Sequence, residues 1–358
     1  MQVQVAAVRR LSLVGPWPAP WGGISVHVRA LRELARRAGW DVEVLDTGEG
    51  HAARDGTDGV RDAGSYARFA AELVRAAARE ALLHVHVPGN NVKAWMVACA
   101  ASRARHGGLL TVHSGLAPAL LAASPAARGL ARLACAGYAR VLCANGDIAA
   151  ALERCGAPAR RLDVVPAWVP GATVPGEPPA AARAARDRFA ALLVAALAPG
   201  AQYGEDVLLD AVGRLRRADA GLVVYGPGTG DATFAERVAR SGLSDRVVAL
   251  GEIDQPASLG VMSLADAFVR PTRADGDSVS VREALSLGVR VVASDVGHRP
   301  PEAVRFRAGD AADLAARIED ALAAPPPPRG AGAGDASDRI LSAWRRLAPA
   351  RDRQGVQA

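Results

Sequence analysis

The sequence predicts an α/β protein built from two doubly wound, Rossmann-like domains, and three observations predict it. Short apolar runs alternate with amphipathic helical stretches along the whole chain, the pattern of parallel strands buried between helices. The alternation pauses at VPAWVPGATVPGEPP, rich in proline and glycine, which reads as a linker. A length of 358 residues is that of about two domains, each large enough to bury its own core.

In the first half the strand candidates are LSLVG, VEVLD, LLHVHV, LLTVH, RVLCAN and DVVPA, runs of aliphatic and β-branched residues bounded by turn signals. Ahead of them Met1 opens into QVQVAAV, strand-like in its alternation and then interrupted by Arg9 and Arg10. The helix ISVHVRALRELARRAG follows the first strand, with Val26, Ala30, Leu31 and Leu34 sharing a face. After the pause come ALLVAAL, GLVVYG, RVVALG, DAFVRP and VRVVASD, separated by helices such as DVLLDAVGRLRR. A second break, Pro325 to Pro328 followed by RGAGAG, precedes a last helical segment, DRILSAWRRLA, that carries Trp344. The expected bounds are a first domain at 1–170, a second at 171–335 and a closing segment at 336–358.

Half of the residues are hydrophobic, which excludes a disordered chain, yet no run approaches the roughly 18 to 20 uninterrupted apolar residues of a membrane span. No apolar signal core follows Met1, so a cytoplasmic protein is expected. Cys99, Cys135, Cys143 and Cys155 lack close pairing, which indicates neither a disulfide framework nor a zinc site. The formal charge of +6 is carried almost wholly by arginine; it fits either base composition or a protein that rests on an anionic membrane surface. The arginines do not interleave with aromatics, so no nucleic-acid partner is expected.

Most of the functional signal lies in Phe268 to Asp295, FVRPTRADGDSVSVREALSLGVRVVASD. It reads as a strand, a glycine-bearing turn, a short helix stopped by Gly288 and a second buried strand. Such a turn aims backbone N–H groups and the positive end of a helix dipole at whatever lies in front of it, which suits a diphosphate. Glu283, just inside the helix, has the acceptors for the two adjacent hydroxyls of a ribose. Two plainer readings stand beside these: Ser280 and Glu283 also have capping-box spacing, and Asp275 with Gly276 is also an ordinary turn pair.

In the first half, GPWPAPWGGISVH sets Gly22 and Gly23 immediately before a helix, at the carboxyl end of a strand where doubly wound sheets bind ligands. Trp17 and Trp21 in that loop either stack on a sugar or apolar acceptor or pack beneath the loop. His27, four residues beyond the glycine pair, faces either the same ligand or outward. His84 and His86 share one side of a strand, but no carboxylate or cysteine stands near them in sequence, so no metal site is expected. His113 ends the strand in TVHSG, where a histidine is ordinarily a satisfied side chain.

Asp275, seven intervening residues and Glu283, followed by Ala284, Gly288 and VVASDVG, resembles the paired-acid signature of the retaining family 4 glycosyltransferases, and the resemblance extends over most of the chain. It implies the GT-B fold, two Rossmann-like domains facing across a cleft, with the last helix crossing back to the first. It implies transfer of a sugar from a nucleotide diphosphate sugar, with retention of configuration and without metal or other cofactor. The acceptor is a glycan such as a growing surface polysaccharide, a lipid-linked intermediate or a small molecule; a lipid-linked one would bring the protein to the inner membrane surface. On this resemblance His113, in a Thr-x-His context, joins Asp275 and Glu283 as a catalytic candidate. Gly276, Asp277, Ser278, Arg273 and Glu283 bind the donor, while Gly22, Gly23, Trp17 and Trp21 form the acceptor or phosphate loop.

The chain also departs from that pattern. The first acid is normally Glu in Glu-Gly-Phe-Gly; here the stretch is Asp275-Gly276-Asp277-Ser278, one methylene shorter at the carboxylate. In AALAPGAQYGEDVLLDAVGRL, Ala196 stands where the family places an arginine and Tyr203, before Gly204, where it places a lysine; both normally neutralise the leaving diphosphate. Arg270, Arg273 and Arg299 are the candidate replacements, Arg273 lying nearest Asp275-Gly276 in sequence. The rival readings are a catalytically weak or inactive sugar-nucleotide-binding protein and a nucleotide-sugar epimerase of the same fold. A nicotinamide oxidoreductase with Asp46 on the ribose is disfavoured, because the first turn is not G-x-G-x-x-G and Pro16, Pro18 and Pro20 remove donors a pyrophosphate needs.

Overall fold

The computed structural model describes residues 9–48, 57–170 and 174–348; QVQVAAV and residues 171–173 of the expected linker lie outside the described residues. Within them the apolar runs form two parallel sheets. The first contains β1 (Arg10–Gly15), β2 (Asp41–Asp46), β3 (Val60–Asp62), β4 (Leu82–Val87), β5 (Leu109–Val112), β6 (Arg140–Cys143) and β7 (Leu162–Val164), in the order β3-β2-β1-β4-β5-β6-β7. The second contains β8 (Ala191–Ala196), β9 (Ala220–Tyr225), β10 (Val247–Ala249), β11 (Ala267–Arg270), β12 (Arg290–Ser294) and β13 (Val304–Phe306), in the order β10-β9-β8-β11-β12-β13.

Parallel neighbours require crossover connections, and among the described residues helices supply most of them. In the first half these are α1 (Gly23–Arg37), α2 (Tyr66–Ala78), α3 (Val92–Ala104), α4 (Ala117–Ala123), α5 (Pro125–Gly137) and α6 (Gly146–Arg154). In the second they are α7 (Ala180–Arg188), α8 (Glu205–Arg214), α9 (Ala232–Arg240), α10 (Gln255–Ser263), α11 (Val279–Ser286) and α12 (Ala311–Ala323), and α13 (Ser337–Leu347) closes the described chain. Local chemistry sets several of their starts: the side chains of Ser65, Asn91, Ser124, Asn145 and Asp254 each accept a backbone N–H from the first turn of their helix. The strand order reverses between β1 and β4 and again between β8 and β11. At such a point successive crossovers leave in opposite directions and a crevice opens beyond the carboxyl ends of the strands.

The described residues up to Pro170, together with those from Ala336 onward, form one compact unit; Val174 to Asp335 form the other. In unit 1 one sheet face packs Val14, Val85, Val87, Trp95 and Val112, and the opposite face packs Leu11, Leu13, Leu31, Trp40 and Trp344. Trp344 of α13 is completely buried there, with Ile340 beside it. Unit 2 buries Leu193, Leu208, Leu222, Phe234, Phe306 and Ile318 around its own sheet.

Several expectations are corrected. The edge strands β3 and β13 were not among the sequence candidates, since VRD and VRF put an arginine at the centre of a three-residue strand and show no apolar run. On α1 the buried stripe runs through Val28, Ala30, Leu31, Leu34 and Ala35, while Val26 is only half-buried. Much of the expected linker is docked rather than free: Val165 and Val169 belong to the unit 1 core, and Gly176 N–H donates to the Pro256 carbonyl at 2.7 Å. Among the described residues no helix is long and apolar enough to cross a membrane.

Candidate functional site

In unit 2 the predicted residues gather at the switch point. β11 ends at Arg270, and residues 271–278 lead into α11; the neighbouring β8 ends at Ala196, and residues 197–204 lead into α8. The two loops pack closely. A Cβ at Gly204, which has φ +68°, would lie 1.9 Å from the Pro271 carbonyl oxygen, so only glycine fits. Arg273 N–H donates to the Gln202 carbonyl at 2.8 Å. From the other side, His298 N–H donates to Gly276 O at 2.8 Å, and a Cβ at Gly297, φ +67°, would meet Asp275 O at 2.4 Å. The turn that carries Asp275 is thus fixed by backbone on both flanks.

Asp275 is partly buried among cations. Its Oδ2 accepts from Arg270 Nε at 3.0 Å, Arg299 Nη2 at 3.1 Å and Thr272 Oγ1 at 3.2 Å, and its Oδ1 from Gly276 N–H at 3.1 Å. Burial pushes the carboxyl pKa up, but the Arg270 and Arg299 guanidiniums outweigh it and hold the group below the usual carboxylate range. Arg299 is anchored on all sides, donating also to the Ser294 carbonyl and the Thr272 hydroxyl. Arg270 also reaches sideways: Nη1 donates to the Ala196 carbonyl at 3.4 Å, and its guanidinium carbon lies 5.6 Å from the centre of the Tyr203 ring. A cation from β11 therefore stands beside Ala196 and Tyr203, the two positions that lack one.

Arg273, favoured on sequence proximity, is placed differently. Its guanidinium is bidentate to Asp206 of α8, at 2.8 and 2.6 Å, and also donates to the Ala201 carbonyl. Nearness in sequence misled because the side chain leaves the turn on the side of α8. The Asp277 carboxylate is likewise engaged, by Arg282 at 2.8 to 2.9 Å with both side chains almost inaccessible, so only its backbone is left for a ligand.

Glu283 is 5% exposed, and its Oε1 accepts from Gln255 Nε2 at 2.6 Å. The capping-box reading does not hold. α11 has Ser278 at its N-cap, Ser280 lies inside the helix, and Glu283 sits a full turn in, facing α10. Burial raises its pKa to about 7, with the Gln255 amide pulling the other way. The Tyr225 hydroxyl, at the end of β9, is pushed well up by burial and by the charge of Glu283. The Ser278 hydroxyl makes no capping bond and lies 3.1 Å from Ser280 Oγ. Sequence reading missed Gln255, which no local signal ties to Glu283 across 28 residues.

In unit 1, Gly22 and Gly23 are exposed at the start of α1. Trp17 resolves to the packing reading: it is 6% exposed, with the Arg32 guanidinium over its ring at 5.3 Å. Trp21 is half-buried beneath Arg29. Asp46 Oδ1 accepts the N–H groups of Trp17 and Gly48, both at 2.8 Å, so the acid that a dinucleotide ribose would need is holding the loop instead. His113, immediately after β5, is 8% exposed and its Nε2 lies 3.2 Å from His86 Nδ1.

Two Rossmann-like units, each built on a parallel sheet with one switch point, have the architecture of the GT-B fold class, and chains of known structure in that class align with about 95% of this one. Residues 21–170 match the family model described as Glycosyltransferase Family 4, and residues 188–324 the one described as Glycosyl transferases group 1. The structure of HepE from Anabaena in complex with UDP and glucose aligns at TM-score 0.66 and 17% identity, over 95% of this chain and 96% of that one. Sucrose-phosphate synthase from Thermosynechococcus elongatus aligns at TM-score 0.65 and 19% identity, over 95% of both chains. Among curated proteins, the lipopolysaccharide core biosynthesis mannosyltransferase LpsB of Rhizobium meliloti is 37% identical over 103 residues, 27% of this chain and 29% of LpsB. The chain thus aligns with under a third of that relative's length.

Proposed function

We propose that the protein is a retaining glycosyltransferase that holds a nucleotide diphosphate sugar in unit 2 and transfers the sugar to a glycan, lipid-linked or small-molecule acceptor. The observation that carries this reading is the grouping of Asp275, Arg270 and Glu283 around the β11–α11 turn, with the Arg270 guanidinium beside the Ala196 carbonyl. The two family-model matches and the likeness to HepE, whose structure holds UDP and glucose, support it.

Glu283 takes the ribose hydroxyls, and ionised it accepts both. The N–H groups of Gly276 to Ser278 and the start of α11 take the diphosphate, and Arg270 provides the cation absent at Ala196 and Tyr203. Such donors are worth most on the leaving group, where charge builds as the bond breaks. Asp275 orients Arg270 and meets sugar hydroxyls. The bond from the anomeric carbon to the phosphate oxygen breaks, a bond to the acceptor oxygen forms on the same face, and the acceptor proton passes to the departing phosphate. Unit 1 takes the acceptor through Gly22, Gly23 and the edge of Trp21, with His113 the catalytic candidate of that unit. A cytoplasmic site of action, at the inner membrane surface for a lipid-linked acceptor, completes the reading.

Thermal stabilisation by a panel of nucleotide sugars tests it, with the intact chain compared with Glu283→Ala. A matched donor at ~100 times its dissociation constant adds about 2.7 kcal/mol of stability. Acceptor screening with that donor then separates turnover from binding alone, the anomeric configuration of the product reports retention, and isomerised donor without acceptor would mean an epimerase. If no nucleotide sugar raises the melting point, the reading fails.

A further inference from the structure

Four histidines converge in unit 1 at the carboxyl ends of its strands: His27 one turn inside α1, His84 and His86 on β4, and His113 directly after β5. Ring centres are 5.5 Å apart for His27 and His86, 5.4 Å for His27 and His113, and 5.5 Å for His86 and His113. His84 is accounted for. Its Nδ1 accepts from Trp344 Nε1 at 3.0 Å, so its Nε2 carries the proton and donates to Thr111 Oγ1 at 2.8 Å.

Of the other three, His86 Nδ1 and His113 Nε2 lie 3.2 Å apart and share one hydrogen bond. His27 Nδ1 and His86 Nε2 are buried without a protein hydrogen-bond partner, and these residues are 3% and 2% exposed. A buried imidazole nitrogen left so is destabilising unless something in the site satisfies it. Burial lowers the His27 pKa to about 4, and burial with neighbouring histidines holds His86 and His113 well below the ordinary value. A neutral imidazole is the form that offers a lone pair to a metal.

We infer that His27, His86 and His113 form a three-imidazole site for a divalent transition-metal ion, zinc in the first instance, with a fourth position open to water or a ligand oxygen. One ring nitrogen from each lies within 4.8 Å of the others. Zinc–nitrogen bonds of 2.0–2.1 Å in a tetrahedron put ligand nitrogens roughly 3.4 Å apart, so the widest pair draws in by about 1.4 Å, within reach of side-chain rotation. The all-nitrogen set selects the metal class: imidazole suits zinc, cobalt, nickel and copper, whereas magnesium and calcium need oxygen ligands. The sequence expectation of no metal weighed only His84 and His86; the fold substitutes His27 and His113 for His84. The site lies wholly in unit 1 and does not depend on the donor reading in unit 2, so either can fail alone.

The test uses the full chain without a polyhistidine tag, stripped with a chelator and titrated with zinc and with cobalt. The expected result is one zinc per chain, visible cobalt absorption of a four-coordinate site, and no displacement by excess magnesium. His27→Gln and His86→Gln should each weaken zinc by at least about 10- to 100-fold, the loss typical of disturbing even an outer partner of a metal site. His106→Gln, at an exposed position, should leave uptake unchanged. Ring-nitrogen NMR of the unaltered chain guards against a misfolded variant: zinc should shift His27, His86 and His113 and leave His106 and His298 in place. Substoichiometric zinc, uptake unaffected by His27→Gln and His86→Gln, or ring nitrogens that do not move would each overturn the site.

Discussion

Replacing Glu283 with glutamine should make the protein more stable and less functional, and the stability gain should depend on pH. Glu283 is buried and its pKa rises from 4.5 to about 7 on folding. A group that binds its proton more tightly in the folded state contributes stability that is fully present below the unfolded pKa and is lost as pH rises through the folded one. Here the loss runs from pH 4.5 to about 7. At 1.36 kcal/mol per unit, that shift costs the folded state about 3 kcal/mol at pH 8 and almost nothing at pH 4. Glutamine keeps an oxygen for the Gln255 amide but carries no charge, so Glu283→Gln should recover most of that amount at pH 8. Urea unfolding of parent and variant at pH 5 and pH 8 measures it directly. Equal stability at pH 8, or the same difference at both pH values, would show that Glu283 is not a desolvated carboxylate and that the pocket is wetter than its geometry indicates.

Four further outcomes follow from the same contacts. Donor affinity of the parent should fall several-fold between pH 7 and pH 6 in calorimetry, because protonating Glu283 removes the acceptor for the ribose, and Glu283→Gln should abolish that pH dependence while weakening donor binding about 10- to 100-fold. Arg270→Gln should lower turnover by about 10²- to 10³-fold, while Arg273→Gln, which breaks the contacts with Asp206 and the Ala201 carbonyl, stays near parental; a reversed ranking in initial-rate assays would move the cation to Arg273. Asp277→Ala should destabilise the protein by about 3–5 kcal/mol in urea unfolding, since it strands the buried Arg282 charge. Trp17→Ala should cost about 3–5 kcal/mol of stability, whereas Trp21→Ala should leave the melting point almost unchanged and raise the acceptor KM.

Much of the fold was legible because parallel strands buried on both faces leave uninterrupted apolar runs such as GLVVYG and ALLVAAL. The three-residue edges β3 and β13 leave no such run and went unseen. At the candidate site, the spacing of Asp275 and Glu283 was readable because one turn and one short helix hold both. Which arginine stands beside Ala196 was not: Arg270, only five residues from Asp275, reaches Ala196 on β8 across 74 residues, and Arg299 comes to Asp275 from 24 residues away, so neither of these longer contacts has a local trace. Gln255 was missed for the same reason.

By itself the sequence determined the two alternating α/β halves, the break between them and the turn that carries the paired acids, because periodicity, glycine and proline act over a few neighbouring residues. The tertiary structure alone decided where the charges and imidazoles meet. It turned Arg273 toward Asp206, set Arg270 beside Ala196, and drew His27, His86 and His113 together from three separate elements. Strand order fixes those meetings: parallel crossovers carry residues far apart in the chain to the same end of a sheet, and no local pattern records which of them will face one another.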